Sequence, residues 1–199
     1  MANEPLLSIS DLACRRGEIS LYDELSFELF AGQCCHLVGS NGSGKTSVLR
    51  QLSGLMQVDE GKIFWNSDTD FVYLAHKDGL KSQLTAFENL RFYADYYGRS
   101  QEQDIDESLN ELGILHCAEL PTKSLSFGQR RRLSFARVLL SRASVWLLDE
   151  PLTGIDQDGR VLLLGLIKQH LATGGGVILT NHGKLDQSAI ASELFEVAL

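Results

Sequence analysis

Gly39, Ser40, Asn41, Gly42, Ser43, Gly44, Lys45 and Thr46 have the types and spacing to hold a phosphate chain. They match G-x-x-x-x-G-K-[S/T] in full. Glycines let backbone amides turn inward around phosphate oxygens, and the amides at the start of a following helix add partial positive charge. The Lys45 ammonium can reach the outer phosphates, and the Thr46 hydroxyl can ligate Mg²⁺, with Ser47 beside it at the helix start. The surroundings support this chemistry. Cys34 to Val38 is a short apolar run that reads as a strand, and Val48, Leu49, Leu52 and Leu55 follow the loop at helical spacing.

A second set of chemical groups lies a hundred residues on. Val145 to Leu148 reads VWLL and ends in Asp149 and Glu150, followed by Pro151. A continuous apolar run of this kind is expected in a strand buried on both faces of a parallel sheet. A carboxylate at its carboxyl end can face the Mg²⁺ held by Thr46, directly or through water. The next carboxylate, Glu150, would then stand where it can orient or deprotonate a water attacking the outer phosphate. This favours hydrolysis over transfer to a small acceptor, for which no pocket is evident in the sequence. Guanine recognition through N-K-x-D is not supported, because Asn181, His182, Gly183 and Lys184 have the wrong spacing, so ATP is favoured over GTP.

These groups need elements to position them. Leu25, Phe27 and Leu29 alternate with polar residues as in a half-buried strand, and Ile63 to Trp65 and Phe71 to Leu74 read as two strands joined by the polar turn NSDTD. Thr85 and Glu88 fit a capping box, with Phe87, Leu90, Ala94 and Tyr97 on one helical face and Gly98 as the stop. Ile105, Leu109 and Leu112 make a second stripe closed by Gly113, and a third helix is expected from Ser126 to about Leu140. Gln157 to Leu171 is helical, and Val177 to Thr180 is another buried strand. The order predicts an α/β core, residues 1–75 and 141–199, interrupted by a helical insertion over 76–140.

Composition sets outer limits. The chain has 199 residues, is 44% hydrophobic and carries a formal net charge of −8, so a packed globule is expected and a nucleic-acid coat protein is not. No apolar run approaches the ~18 residues of a membrane span, and the start MANEPLLSIS lacks the layout of a signal peptide. If the chain acts at a membrane, a partner must supply the spans. Cys14, Cys34, Cys35 and Cys117 form no CxxC pair and are expected as reduced thiols, with Cys34 and Cys35 pointing to opposite faces of their strand.

The stretch from Leu125 to Leu133, LSFGQRRRL, looks at first like a basic patch. On a helix, however, Arg130, Arg131 and Arg132 fan around the axis at about 100° per residue, and only Arg130 and Arg137 share a face. They are therefore expected to be solvated or acid-paired. The other end of the stretch is more informative. Across nearly its full length the chain resembles the ATP-binding subunits of ABC transporters, in which an LSGGQ signature follows a helical subdomain and precedes the acidic strand. Ser126, Gly128 and Gln129 match the signature, and Phe127 replaces its variable glycine. Ser126 would be a helix N-cap with exposed amides behind it, an anion site in its own right.

The resemblance implies a P-loop NTPase core, RecA-like and of the ABC type, with an inserted helical subdomain and a small antiparallel β region. It implies ATP and Mg²⁺ as ligands. It also implies a homodimer in which Ser126, Gly128 and Gln129 of one chain close over the ATP held by the other. Pro151 to Asp156 resembles the D-loop, with Asp156 at the subunit boundary, and His182 occupies the switch position contacting the γ-phosphate. Arg16 stands where the family usually stacks an aromatic residue on adenine, and a planar guanidinium can also stack there. Tyr22 is the nearest alternative, out of register. His76 takes the place of a glutamine that helps bind Mg²⁺ or the attacking water.

His76 and the run from Gly79 to Tyr93 are similar to the haem exporter ATP-binding subunits of bacterial cytochrome c maturation. That resemblance implies a multi-span membrane permease and haem-maturation proteins as partners, and a peripheral position on the cytoplasmic face of the inner membrane. Two rival readings remain at this stage. One is an ABC-type ATPase acting on nucleic acid or ribosomes, which usually has two cassettes or long coiled-coil insertions. The other is an ATPase for another small substrate.

Overall fold

The computed structural model of the chain describes residues 4–98, 101–181, 190 and 193–199. Two sheets are present. Strands β1 (Leu7–Arg16), β2 (Ile19–Leu29) and β4 (Glu60–Trp65) form an antiparallel sheet in the order β2-β1-β4. Strands β3 (Cys34–Val38), β5 (Phe71–Leu74), β6 (Val145–Leu148), β7 (Gly176–Thr180) and β8 (Leu194–Ala198) form a parallel sheet in the order β5-β6-β7-β3-β8. The helices are α1 (Lys45–Leu52), α2 (Ala86–Tyr96), α3 (Glu102–Glu111), α4 (Phe127–Ser141) and α5 (Gln157–Ala172).

The parallel register decides where chemistry can occur. Leu74 pairs with Leu148, Leu148 with Leu179, and Leu37 with Thr180. The segments that leave these strands at Ala75, Asp149, Asn181 and Gly39 therefore emerge along one edge. In open α/β sheets, ligands bind in the crevice beyond the carboxyl ends of the strands.

The continuous apolar runs are explained by cover on both faces. All four residues of β6 and all five of β7 are buried. On one face, Trp146, Leu148, Val177 and Leu179 join buried residues of α2, α3, α4 and α5 in a single cluster. On the other, Val145, Leu147 and Ile178 pack with Val48, Leu49 and Leu52 of α1 and with the antiparallel sheet. Helices α2, α3 and α4 share the first cluster with α5, so the segment between β5 and β6 has no separate core. Cys34 faces the first cluster and Cys35 the second, as alternation requires. All four cysteines are free and buried, and burial pushes the Cys34 thiol up to about 12.

The structure departs from the sequence expectations at several points. Strands β4 and β5 join different sheets, so the NSDTD turn carries the chain from one sheet to the other. Helix α1 stops at Leu52, and Leu55 lies beyond it, 70% exposed, where the amides of Leu55 and Met56 turn back to the Arg50 carbonyl. Strands β1 and β8 had no expectation at all. The capping box at Thr85 and Glu88 is present, and Gly98 and Gly113 follow α2 and α3 with positive φ as expected of helix stops.

Candidate functional site

The loop between β3 and α1 is shaped by close approach. Gly44 has φ +106, and a Cβ placed on it would come 2.8 Å from the Tyr22 ring. A Cβ on Gly39 would come 2.5 Å from Ser43 Oγ, which is itself buried and has no hydrogen-bond partner among the described residues. The Lys45 ammonium turns back over the loop and donates to the carbonyls of Gly39 at 2.8 Å and Ser40 at 2.9 Å. Arg16, Asn41, Gly42, Gly44, Lys45, Thr46, Ser47 and Glu150 line one cleft of about 600 Å³, together with Arg15 and Arg50. An elongated anion fits such a lining, with cations on several sides and a helix N-terminus at the bottom.

Tyr22 is not placed to stack on a base. It is 7% exposed, and its hydroxyl donates to Gln51 Oε1 at 2.6 Å beneath the loop. Burial, with Cys14 and Asp59 adding to it, pushes the phenol well above its ordinary range. Arg16, by contrast, lines the cleft.

The acidic pair is held tightly. Asp149 is 1% exposed and accepts from the Thr46 hydroxyl at 3.0 and 3.1 Å and from the Thr180 hydroxyl at 2.9 Å. Thr180 Oγ1 in turn accepts from the Glu150 amide at 2.9 Å. Thr46 and Asp149 thus present oxygen ligands side by side, the donor set a hard divalent cation such as Mg²⁺ prefers. Glu150 has φ +51, a left-handed conformation unusual for a residue with a side chain. Its Oε2 lies 3.2 Å from His76 Nδ1 and accepts from the Thr153 hydroxyl at 3.4 Å. His76 is exposed at the mouth of the site, so the two side chains meet where water can enter.

The signature residues lie elsewhere. Ser126 caps α4: its hydroxyl accepts from the Gln129 amide at 3.2 Å, and Gln129 Oε1 accepts from the Ser126 amide at 2.8 Å. Gln129 Nε2 points to Cys117 Sγ at 3.4 Å. Ser126 and Phe127 are exposed. Ser126, Gly128, Gln129 and Asp156 do not line the cleft of Lys45 and Glu150. The Asp156 side chain accepts from the Gly159 amide at 3.0 Å and caps α5, a role its position before a helical run could have signalled. Phe127 rests on the D-loop-like turn: a Cβ on Gly154, φ +72, would collide with its ring. His182 lies outside the described residues.

One residue overturns a sequence expectation. Arg131 is neither solvated nor acid-paired but 4% exposed. Its guanidinium donates to the carbonyls of Ala75, His76, Asp149, Glu150 and Pro151 at 2.7 to 3.3 Å. Burial holds it below the usual arginine range, opposed by the nearby carboxylates of Asp149, Glu150 and Asp78. Arg130 and Arg137 do share a face, and both reach Asp78, through an ion pair at 3.8 Å and a hydrogen bond to its carbonyl at 2.9 Å.

Comparison with known proteins places this geometry in a family. The ABC transporter family profile matches residues 22–153. The chain is 39% identical over 204 residues to the cytochrome c biogenesis ATP-binding export protein CcmA of Yersinia pseudotuberculosis, covering 98% of this chain and 93% of that protein. It is 41% identical to the protein of the same name from Nitrosomonas europaea, covering 93% and 92%. Among solved structures, an ATP-binding subunit of an ABC transporter superposes with a TM-score of 0.79 at 25% identity, over 89% of this chain and 79% of that one. An ABC transporter ATP-binding protein from Pyrococcus furiosus superposes with a TM-score of 0.82 at 23% identity, over 96% of both chains, and shares the fold. The chain belongs to the ABC transporter family, as one of its ATP-binding subunits.

Proposed function

We propose that the chain hydrolyses ATP to drive an exporter serving cytochrome c biogenesis, with haem or a haem-handling protein as the cargo side of the complex. The observation that carries the reading is the joint one. Relatives named for this export step match the chain almost end to end, and Lys45, Thr46, Asp149, Glu150 and His76 converge at one sheet edge. Lys45 and the loop amides of Gly39 to Ser47 hold the phosphates, and Arg16 covers the adenine. Thr46 and Asp149 hold Mg²⁺, with His76 alongside. The metal would supply charge neutralisation at the transferred phosphoryl group. Glu150 accepts a proton from the attacking water, and His76 holds the carboxylate in position from the solvent side. His182 is assigned to the γ-phosphate on the family resemblance alone.

Ser126, Gly128 and Gln129 close the site of a second copy, with Asp156 at the boundary between the copies. This fits the exposure of Ser126 and Asp156 and the absence of all four from the chain's own cleft. No helix of the described residues is long and apolar enough to cross a membrane. The export named in the relatives would need a multi-span permease on the inner membrane as partner, with this chain docked peripherally on its cytoplasmic side and no nucleic acid involved. The test is co-purification with ATPase assay and haem attachment in cells. A small multi-span protein should accompany the chain, and Lys45→Ala should abolish both ATP turnover and mature c-type cytochrome. Normal cytochrome c maturation in cells carrying only Lys45→Ala would overturn the assignment.

A further inference from the structure

Arg131 commits all it has to backbone. A guanidinium carries five N–H groups in a planar fork. Here Nε donates to Pro151 O, Nη1 to Ala75 O and His76 O, and Nη2 to Asp149 O and Glu150 O. The ion pairs of the described residues do not include it. A buried cation is costly, and breaking its contacts costs more than an apolar residue there would have. What it joins is specific: the segment after β5 that carries His76, and the segment after β6 that carries Glu150. Its own helix begins at the Ser126 cap, so one side chain ties the signature end of α4 to both.

Glu150 needs such a tie. Its left-handed φ of +51 costs a residue with a side chain about 1 to 2 kcal/mol. Three bonds hold the Glu150 backbone: its N–H donates to the Thr180 hydroxyl at 2.9 Å, and its carbonyl accepts from Arg131 at 2.7 Å and from the Thr153 amide at 3.2 Å. The His76 segment has further ties to α4. Ser134 and Arg137 donate to the Asp78 carbonyl at 3.2 and 2.9 Å, and the Arg137 guanidinium lies over the Tyr93 ring at 4.0 Å. Arg131 gives its shortest bonds to the turn, 2.7 and 2.8 Å against 3.1 and 3.2 Å at Ala75 and His76, so its loss should loosen the turn at 149–151 before the loop at 76–79.

We propose that Arg131 is a positioning residue for hydrolysis, holding the Glu150 backbone so that its carboxylate is aligned only while α4 stays in register with the strand ends. The inference rests on the reading of Glu150 as the group that handles the attacking water. Lysine is no substitute, since its compact ammonium cannot span five acceptors in a plane.

The test compares Arg131→Lys and Arg131→Gln with wild type in kcat, KM for ATP, binding of a fluorescent ATP analogue, and amide hydrogen exchange. Displacing a catalytic group by an ångström costs about a hundredfold, so kcat should fall by about that factor while KM and analogue affinity move less than about threefold. Lysine should rescue little of it. Exchange should rise in peptides covering 149–153 and stay unchanged in those covering α1. Added to Glu150→Gln, Arg131→Gln should slow residual turnover no further, because the two changes remove one function. Wild-type kcat in Arg131→Gln, unchanged exchange at 149–153, or analogue binding lost in step with kcat would each overturn the proposal. Glu150→Gln turning over at the wild-type rate would overturn the reading of Glu150 and this inference with it, whereas a dead Glu150→Gln beside an active Arg131→Gln sinks the inference alone.

Discussion

The cleft at Lys45 and the cap at Ser126, both assigned to phosphate in the proposal above, are built differently. The cleft is internally closed: Lys45 bonds to its own loop, Thr46 to Asp149, Asp149 to Thr180, and Glu150 to His76. The cap is an exposed helix start whose polar partners among the described residues are its own residues and Cys117. On the reading proposed above, the first region binds within one chain and the second acts only against another, so binding and turnover would be separable.

The sharpest way to break that comparison is Glu150→Gln. It should retain ATP affinity, lower kcat by about a thousandfold, within the range for a removed general base, and accumulate an ATP-dependent dimer by size-exclusion chromatography. A monomeric elution in ATP would count against the two-chain site. Next comes complementation. Lys45→Ala damages the cleft, and Gly128→Asp puts a carboxylate at a helix start, where it suits the helix dipole but repels a phosphate. Each variant alone should be inactive. Equal mixing should restore about a quarter of wild-type turnover, since random pairing in a twofold dimer makes half the dimers mixed, each with one sound site. No recovery would place both halves of the site in one chain.

Smaller effects test the link between the regions. Gly154→Ala adds a Cβ against the Phe127 ring at positive φ, and should cost about 1 to 3 kcal/mol by thermal or urea unfolding. Phe127→Gly should recover the packing part of that loss and leave the φ strain. The smallest effect is on pH dependence. Burial lowers the His170 imidazole below its ordinary 6.5, where it stacks on Trp146 at 3.8 Å, and burial lowers His36 likewise against the opposing pull of Glu196. A depressed histidine binds fewer protons folded than unfolded. Stability should therefore be full above about pH 6.5 and fall as pH drops through it, and the fall should be shallower in His170→Phe. A flat melting temperature from pH 7.5 to 5.5 would contradict this.

Features written in neighbouring residues were legible in the sequence. The strand-loop-helix around Gly39 to Thr46, the capping box at Thr85, the N-cap at Ser126 and the buried run before Asp149 all depend on local spacing, and the structure has each of them. Features that depend on distant pairing were not. Strand β8 is mixed in burial and gains its place only by lying beside β3. Strand β1 carries irregularities in its register that blur alternation. Arg131 is the plainest case. Its acceptors are backbone carbonyls 18 to 56 residues away, which have no sequence signature, and its two flanking arginines disguise it as a charge run.

The capping geometry of Ser126 has one more consequence. A hydroxyl has two lone pairs and one hydrogen, and the helix takes a lone pair alone. The hydrogen, which is what a phosphate oxygen needs, is still available to be given away. Threonine would preserve this division of labour, while aspartate, as good a cap, would keep the helix and have nothing to donate. Folding and the clamping proposed above would thus draw on different parts of the same oxygen, and neither use would exhaust it.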